Sequence, residues 1–285
     1  MEFIDTHQHL ILRGALGYAW ADAIPALAGR DFDRADYAGL VAGMGVVGTI
    51  FMETGVDEAD YRAEARLVAV MVGKGGMLGQ VASCRPEEEA GFEAWLEECR
   101  GLGVVGFRRI THVVPDGVSE VEVFRRNVRK IGAAGWPVDL CFLTRQLGLC
   151  EALVRACPEV RFVLDHCGTP DIAGGDFAIW RQGMARLAGL PNLWVKLSGI
   201  TAYVAPGTGP DAQFSAVRPY AEEVLALFGP QRMVWGGDWP VVDLGAGLPG
   251  WIGMTRALLA GLSEDERALI GHRNAREIYL EGRGA

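Results

Sequence analysis

The chain has no Cys-x-x-Cys pair, although it has six cysteines, at 84, 99, 141, 150, 157 and 167. That spacing argues against a zinc ribbon or a dithiol redox motif and suits reduced, mostly buried thiols. Basic residues are in deficit: 27 Lys and Arg stand against 36 Asp and Glu, for a net charge of −9. A nucleic acid or an anionic membrane is therefore not the expected partner. No apolar run is long enough to cross a bilayer; the strongest, around residues 39–52, is broken by Gly43, Gly45 and Gly48. Glu2 and Asp5 stand where a signal peptide would carry basic residues, so a cytoplasmic protein is expected. No Gly-x-Gly-x-x-Gly follows the first apolar run, which disfavours a dinucleotide-binding open sheet.

What is present is an alternation. Short apolar runs at roughly 2–7, 46–52, 77–82, 104–108, 137–143, 161–165, 192–197 and 232–236 are rich in Val, Ile, Phe and Leu and lack polar alternation. Parallel strands buried on both faces read this way. Amphipathic segments lie between them. Asp57–Asp60, Pro86–Glu89, Ser119–Glu122 and Ser263–Glu266 look like helix starts. Gly101, Gly103 and Gly135 suit helix ends. Residues 204–209 form a Gly/Pro-rich loop after the seventh run, a candidate lid, and segments 248–261 and 263–281 read as closing helices. Eight strands alternating with helices predict an α/β protein, a single-domain (β/α)8 TIM barrel over residues 1–285.

Active sites of such barrels lie at the carboxyl ends of the strands. Those ends carry His7 and His9, Glu53, Ser83, Arg108 and Arg109, Thr144 and Arg145, Asp165 and His166, Lys196 and Ser198, and Asp238. Residues i and i+2 of a strand point the same way, so His7 and His9 can aim at one point. Each also has an ordinary reading. His166 suits a hydrogen-bonded core, Asp238 in Gly236-Gly237-Asp238 a turn, Glu53 a helix cap, Lys196 an ion pair, and one of the adjacent Arg108 and Arg109 a structural pair. His112 and His272 look ordinary, the first in a loop and the second near a helix end.

In their order along the chain, Ile4-Asp5-Thr6-His7-Gln8-His9, Gly106-Phe107-Arg108-Arg109, Val163-Leu164-Asp165-His166-Cys167-Gly168-Thr169-Pro170, Val195-Lys196-Leu197-Ser198-Gly199, Gly236-Gly237-Asp238-Trp239-Pro240-Val241 and Asn274-Ala275-Arg276-Glu277-Ile278-Tyr279 resemble the amidohydrolase superfamily. The similarity is to its sugar-acid lactonase branch, with fuconolactonase-like and rhamnonolactonase-like members, and more distantly 2-pyrone-4,6-dicarboxylate lactonase. The resemblance covers nearly the whole chain and implies a barrel hydrolase that opens a lactone, a small-molecule cyclic ester, in carbohydrate metabolism.

It implies Asp238 as the base that activates water. His7, His9 and His166 would polarise the carbonyl. Arg108, Arg109, Arg145, Lys196 and Glu53 would hold hydroxyl or carboxylate groups of the substrate. These cations hint at an oxygen-rich or anionic lactone. The lactonase branch works without an obligatory metal, whereas the wider superfamily is largely metal-dependent. His7, His9, His166 and Asp238 also suit one divalent ion such as zinc. The fourth to sixth strands have no lysine to carbamylate, so a two-metal site is not expected. Cys167-Gly168-Thr169-Pro170 departs from the relatives' Leu-Gly-Lys-Pro and removes a basic residue. A lactone isomerase or a metal-dependent decarboxylase would use the same site, a non-catalytic sugar-acid binder would not need Asp238, and a homo-oligomer is open.

Overall fold

A computed structural model describes residues 1–281, so the last four of the single domain expected over 1–285 lie outside the described residues. Eight parallel strands follow one another in sequence order: β1 Phe3–Gln8, β2 Val46–Met52, β3 Met77–Ser83, β4 Val104–Ile110, β5 Val138–Cys141, β6 Phe162–Leu164, β7 Leu193–Ser198 and β8 Met233–Gly236. Beyond β8 the ring closes onto β1 through a parallel bridge between Gln8 and Trp239. The Thr6 hydroxyl donates to the Trp235 carbonyl at 2.8 Å, and the Asp238 amide to the His7 carbonyl at 2.8 Å. This is the (β/α)8 barrel that the alternation predicts, with strand bounds within a few residues of the apolar runs.

Burial explains the absence of polar alternation. Ile4, Ile50, Met52, Val81, Val105, Val163 and Val234 form one buried cluster, plugged by Ala275, Ile278 and Tyr279 from the last helical segment. A larger cluster joins strand residues such as Phe3, Phe107 and Leu197 to helix residues such as Trp95, Val128 and Trp180. Both faces of the sheet are thus dry.

Helix starts were read less well. The helix expected from Pro86 begins only at Phe92, after a left-handed Gly91. Ser119 lies in a short 3-10 turn, and its helix starts at Glu122 behind Val121. The Asp57 start is a 3-10 turn leading into the helix Tyr61–Ala69. Ser263 does form a reciprocal cap: its hydroxyl accepts from the Glu266 amide, and the Glu266 carboxylate accepts from the Ser263 amide. The closing helices run over Gly247–Leu258 and from Glu264 onward, the latter widening into π-helical turns at Leu269–Arg273, which holds His272, and Arg276–Leu280. Gly103 and Gly135 take the left-handed conformation expected beyond a helix; Gly101 does not. Residues 204–209 connect a 3-10 turn at Ile200–Tyr203 to the helix Pro210–Phe228.

Candidate active site

A cavity of about 410 Å³ opens at the carboxyl ends of the strands, and His9, Glu53, Arg108, Arg109, His166 and Asp238 all line it. His7 lies just beneath, fully buried. All three imidazoles converge on one carboxylate: His7 Nε2 is 3.7 Å and His9 Nε2 3.4 Å from Asp238 Oδ1, and His166 Nδ1 is 3.8 Å from Asp238 Oδ2. The pairing of β1 with β2 shifts between Asp5 and Gln8, the stretch that carries His7. Even so, the two rings of the His-x-His pair lie edge to face, 4.8 Å apart.

The backbone of this site is unusual. Among the described residues, the non-glycine positions with positive φ are His166, Cys167, Thr169 and Asp238. Two of these four carry the converging side chains. Left-handed backbone costs a β-carbon-bearing residue on the order of 1 kcal/mol or more and clusters where a side chain must be aimed. Gly199, also left-handed, sits against Asp238, and a β-carbon there would collide with the Asp238 carboxylate.

Hydrogen bonds fix the rings. His9 Nδ1 is 2.9 Å from the Met52 carbonyl, which can only accept. Nδ1 therefore carries a proton, and in the neutral ring the Nε2 lone pair faces Asp238. His166 Nδ1 is 3.0 Å from Ser198 Oγ. His7 lies between two cations, with Lys196 Nζ 3.2 Å from Nδ1 and Arg108 Nη1 3.1 Å from Nε2. Burial, reinforced by Lys196, outweighs the pull of Asp165 and holds His7 well below the usual imidazole range. Burial likewise lowers His166 and His112. Asp238 is 2 % exposed, and its Oδ2 accepts no hydrogen bond.

Below the cavity lies a sealed ionic network. Lys196 is fully buried, with Nζ 3.0 Å from Asp165 and 3.1 Å from Asp139. Asp165 also pairs with Arg108 at 3.2 Å and His7 at 3.4 Å. Burial would raise the Asp165 carboxyl, but Lys196, His7 and Arg108 outweigh it and hold it well below the usual range. Burial raises Asp139 despite Lys196. The Tyr279 hydroxyl donates to Asp139 at 2.6 Å.

The expected substrate-holding residues divide accordingly. Glu53 and Arg108 line the cavity but are bound to each other, Arg108 Nε donating to Glu53 at 2.6 Å. Arg109 lines it and pairs with Glu87. Arg145 lines no part of it; its side chain is 57 % exposed and pairs with Asp116. Lys196 is cut off from the cavity by the layer above it. Sequence reasoning set His112 aside, yet it lines the cavity, with Nδ1 3.5 Å from the Cys141 thiol. It also missed Tyr203, Arg85 and the hub role of Asp165. A lone acid in an apolar strand, Val138-Asp139-Leu140, was a readable signal for the buried network; nothing local marks Tyr203.

The site fits a single divalent ion. Ligand atoms of His7, His9 and Asp238 lie within 4.8 Å of one another, and so do those of His7, Asp165 and His166. Asp238, with Oδ1 facing His9 Nε2 and Oδ2 left without a hydrogen bond, offers carboxylate oxygens beside an imidazole nitrogen that a cation would reconcile. Imidazole nitrogen with carboxylate is a donor set suited to zinc. Both groupings share His7, which suits one ion rather than two.

Fold and site together define a (β/α)8-barrel enzyme with its polar residues at the carboxyl ends of the strands. The chain belongs to the amidohydrolase family, whose model matches residues 4–280. It is 27% identical to the L-fucono-1,5-lactonase of Burkholderia ambifaria over 97% of this chain and 94% of that protein. The 2-pyrone-4,6-dicarboxylate hydrolase of Comamonas testosteroni is 26% identical over 77% of this chain and 71% of its own length. A crystal structure of an amidohydrolase from Burkholderia multivorans with bound zinc is 25% identical, with a TM-score of 0.88 over 98% of this chain and 99% of that one. Among the described residues no helix is long and apolar enough to cross a membrane.

Proposed function

We propose that this protein is a lactonase that hydrolyses a sugar-acid lactone. The observation that carries the reading is the buried Asp238 Oδ2, left without a partner at the cavity floor among three imidazoles. The similarity to an L-fucono-1,5-lactonase supports the substrate class.

Asp238 takes a proton from water as the water oxygen adds to the lactone carbonyl. The carbonyl oxygen then carries a negative charge that the site must stabilise. Arg108 Nη1, paired with Asp165 and 3.1 Å from His7 Nε2, keeps a fixed positive charge behind the imidazoles. Neutral His7 and His166 each keep one N–H. Arg108 Nη1 can only donate, so the neutral His7 that accepts from it at Nε2 carries its proton on Nδ1, 3.4 Å from Asp165 Oδ1; when His166 Nδ1 accepts from Ser198, its proton sits on Nε2, where it can meet the carbonyl oxygen. Neutral His9 has committed its N–H to Met52, so it orients water as an acceptor rather than polarising the carbonyl. Collapse of the tetrahedral intermediate breaks the ring C–O bond, and the proton held by Asp238 passes to the departing alkoxide. The carboxylic acid product ionises and releases one proton.

A divalent ion, when held by His7, His9 and Asp238, would supply Lewis acidity to the same carbonyl or water. Turnover in this reading does not require it. Six free, buried cysteines suit a reducing cytoplasm.

The test is a proton-release screen over aldonolactones, L-fucono-1,5-lactone among them, with and without chelator. An isomerase would release no net acid. If no lactone yields acid, the proposal fails.

A further inference from the structure

Resting on the lactonase reading, we propose that the cavity selects uncharged lactones and rejects those bearing an additional carboxylate, because every guanidinium that lines it is already neutralised by a carboxylate of the protein.

Three arginines line the cavity: Arg85, Arg108 and Arg109. Each is taken. Arg85 holds Glu58 bidentately, with Nε and Nη2 donating at 2.5 and 2.9 Å, while its Nη1 donates to Ser83 Oγ at 2.8 Å and the Cys84 carbonyl at 2.9 Å. The Tyr61 ring covers the same guanidinium at 4.3 Å. Arg108 gives Nε and Nη2 to the Glu53 side chain and carbonyl and pairs with Asp165. Arg109 is neutralised by Glu87, to which Nη2 donates, although its buried Nε has no partner. With Glu53, Glu58 and Glu87 cancelling these cations, Asp57 and Asp238 remain as carboxylates on the wall. The rest of it includes Trp20, Val56, Ile110, Val113 and Val241, which offer no countercharge.

An anionic substituent entering this cavity would be desolvated against a wall of negative balance. To gain an uncancelled guanidinium charge it would have to displace a resident carboxylate, and at Arg85 and Arg108 the fork geometry that makes arginine a good anion receptor is spent internally. Hydroxyl groups meet no such penalty, since they both donate and accept. Glu58 is the most replaceable guard: its side chain is 68 % exposed while Arg85 is only 6 % exposed. Removing its charge leaves the Arg85 cation on the wall without disturbing the core.

The experiment compares two lactones of the same ring stereochemistry, one ending in an uncharged group and the other in a carboxylate, in the wild type, Glu58→Gln and Glu87→Gln. Wild type should favour the uncharged lactone in kcat/KM by at least about tenfold, and each substitution should shrink that ratio several-fold. A second arm measures glutarate binding by calorimetry at low salt, where each variant should bind more tightly than wild type. Equal use of both lactones by wild type, or unchanged ratios and unchanged glutarate affinity in both variants, would overturn the proposal. If no lactone is turned over at all, the lactonase reading fails, and the glutarate arm alone decides whether paired arginines keep anions out.

Discussion

His9 Nε2 and Asp238 Oδ1 face each other across 3.4 Å, with the other nitrogen of the ring tied to the Met52 carbonyl. Neither facing atom carries a hydrogen when His9 is neutral. Two acceptors held together by a fixed tautomer and a left-handed backbone are a poor resting arrangement but a good place for a water molecule or a cation.

Asp238→Asn tests the base. The amide keeps the shape but cannot take the proton from water, so proton release should fall about a thousandfold. Circular dichroism and the thermal midpoint should change little, since Asp238 Oδ2 makes no hydrogen bond in the folded state. Turnover near the wild-type rate would remove Asp238 from the chemistry.

His9→Ala tests the metal set. Apo-protein should bind zinc in a calorimetric titration, and the variant should bind it at least about tenfold more weakly, because one of three ligands is lost. Chelator-treated wild type should still open lactones. Loss of turnover on chelation, restored by zinc, would replace the metal-optional reading with a metal-dependent one.

Lys196 and Arg145 separate structural from exposed cations. Lys196→Met leaves Asp139 and Asp165 short of their shared countercharge in a dry interior and should cost about 3–5 kcal/mol in urea unfolding. Arg145→Ala removes an exposed pair with Asp116 and should change stability by less than about 1 kcal/mol. Its kcat/KM should stay within about twofold of wild type, because the side chain lines no part of the cavity. A large kinetic effect at Arg145 would show that the cavity reaches further than the lining described above.

These contrasts show what could be read along the chain and what could not. The barrel was legible because each strand is buried on both faces, which leaves an unbroken apolar run and a polar residue where it stops. That rule placed His7, His9, His166 and Asp238 among the strand-end residues, the family resemblance gave them their roles, and the structure brings the four together. Arg145, expected to hold substrate, lies outside the cavity lining because a strand-end position does not say which way the chain turns; a 3-10 turn at Thr144–Gln146 follows β5, and the side chain meets Asp116. Lys196 was read both as a substrate holder and as an ion-pair partner, and the structure places it in the buried network with Asp139 and Asp165. The helix start at Pro86 failed because three glutamates suit an exposed turn as well as a first helical turn. Asp165 was noticed only as a neighbour of His166, yet it is the residue on which His7, Arg108 and Lys196 all converge.

Glu64 gives a pH prediction away from the catalytic residues. It is buried in the helix Tyr61–Ala69, and its carboxylate oxygen accepts from the Thr54 amide at 2.9 Å. Burial, with the Glu53 carboxylate adding to it, pushes its pKa up to about 8 from an ordinary 4.5. Between those values the folded protein binds a proton that the unfolded chain has released. Stability must therefore fall as pH rises through this window, at no more than about 1.4 kcal/mol per pH unit for one proton. Glu64→Gln keeps the acceptor for Thr54 and removes the titration. Asp5 and Asp139 are also raised by burial, so the wild-type curve alone does not isolate Glu64. The difference between variant and wild type does: urea unfolding at pH 5, 6.5 and 8 (roughly the span of the window) should show the variant gaining on wild type at each step. Parallel curves would mean that Glu64 is ionised in the fold, with the Arg108 cation holding both it and Glu53 charged.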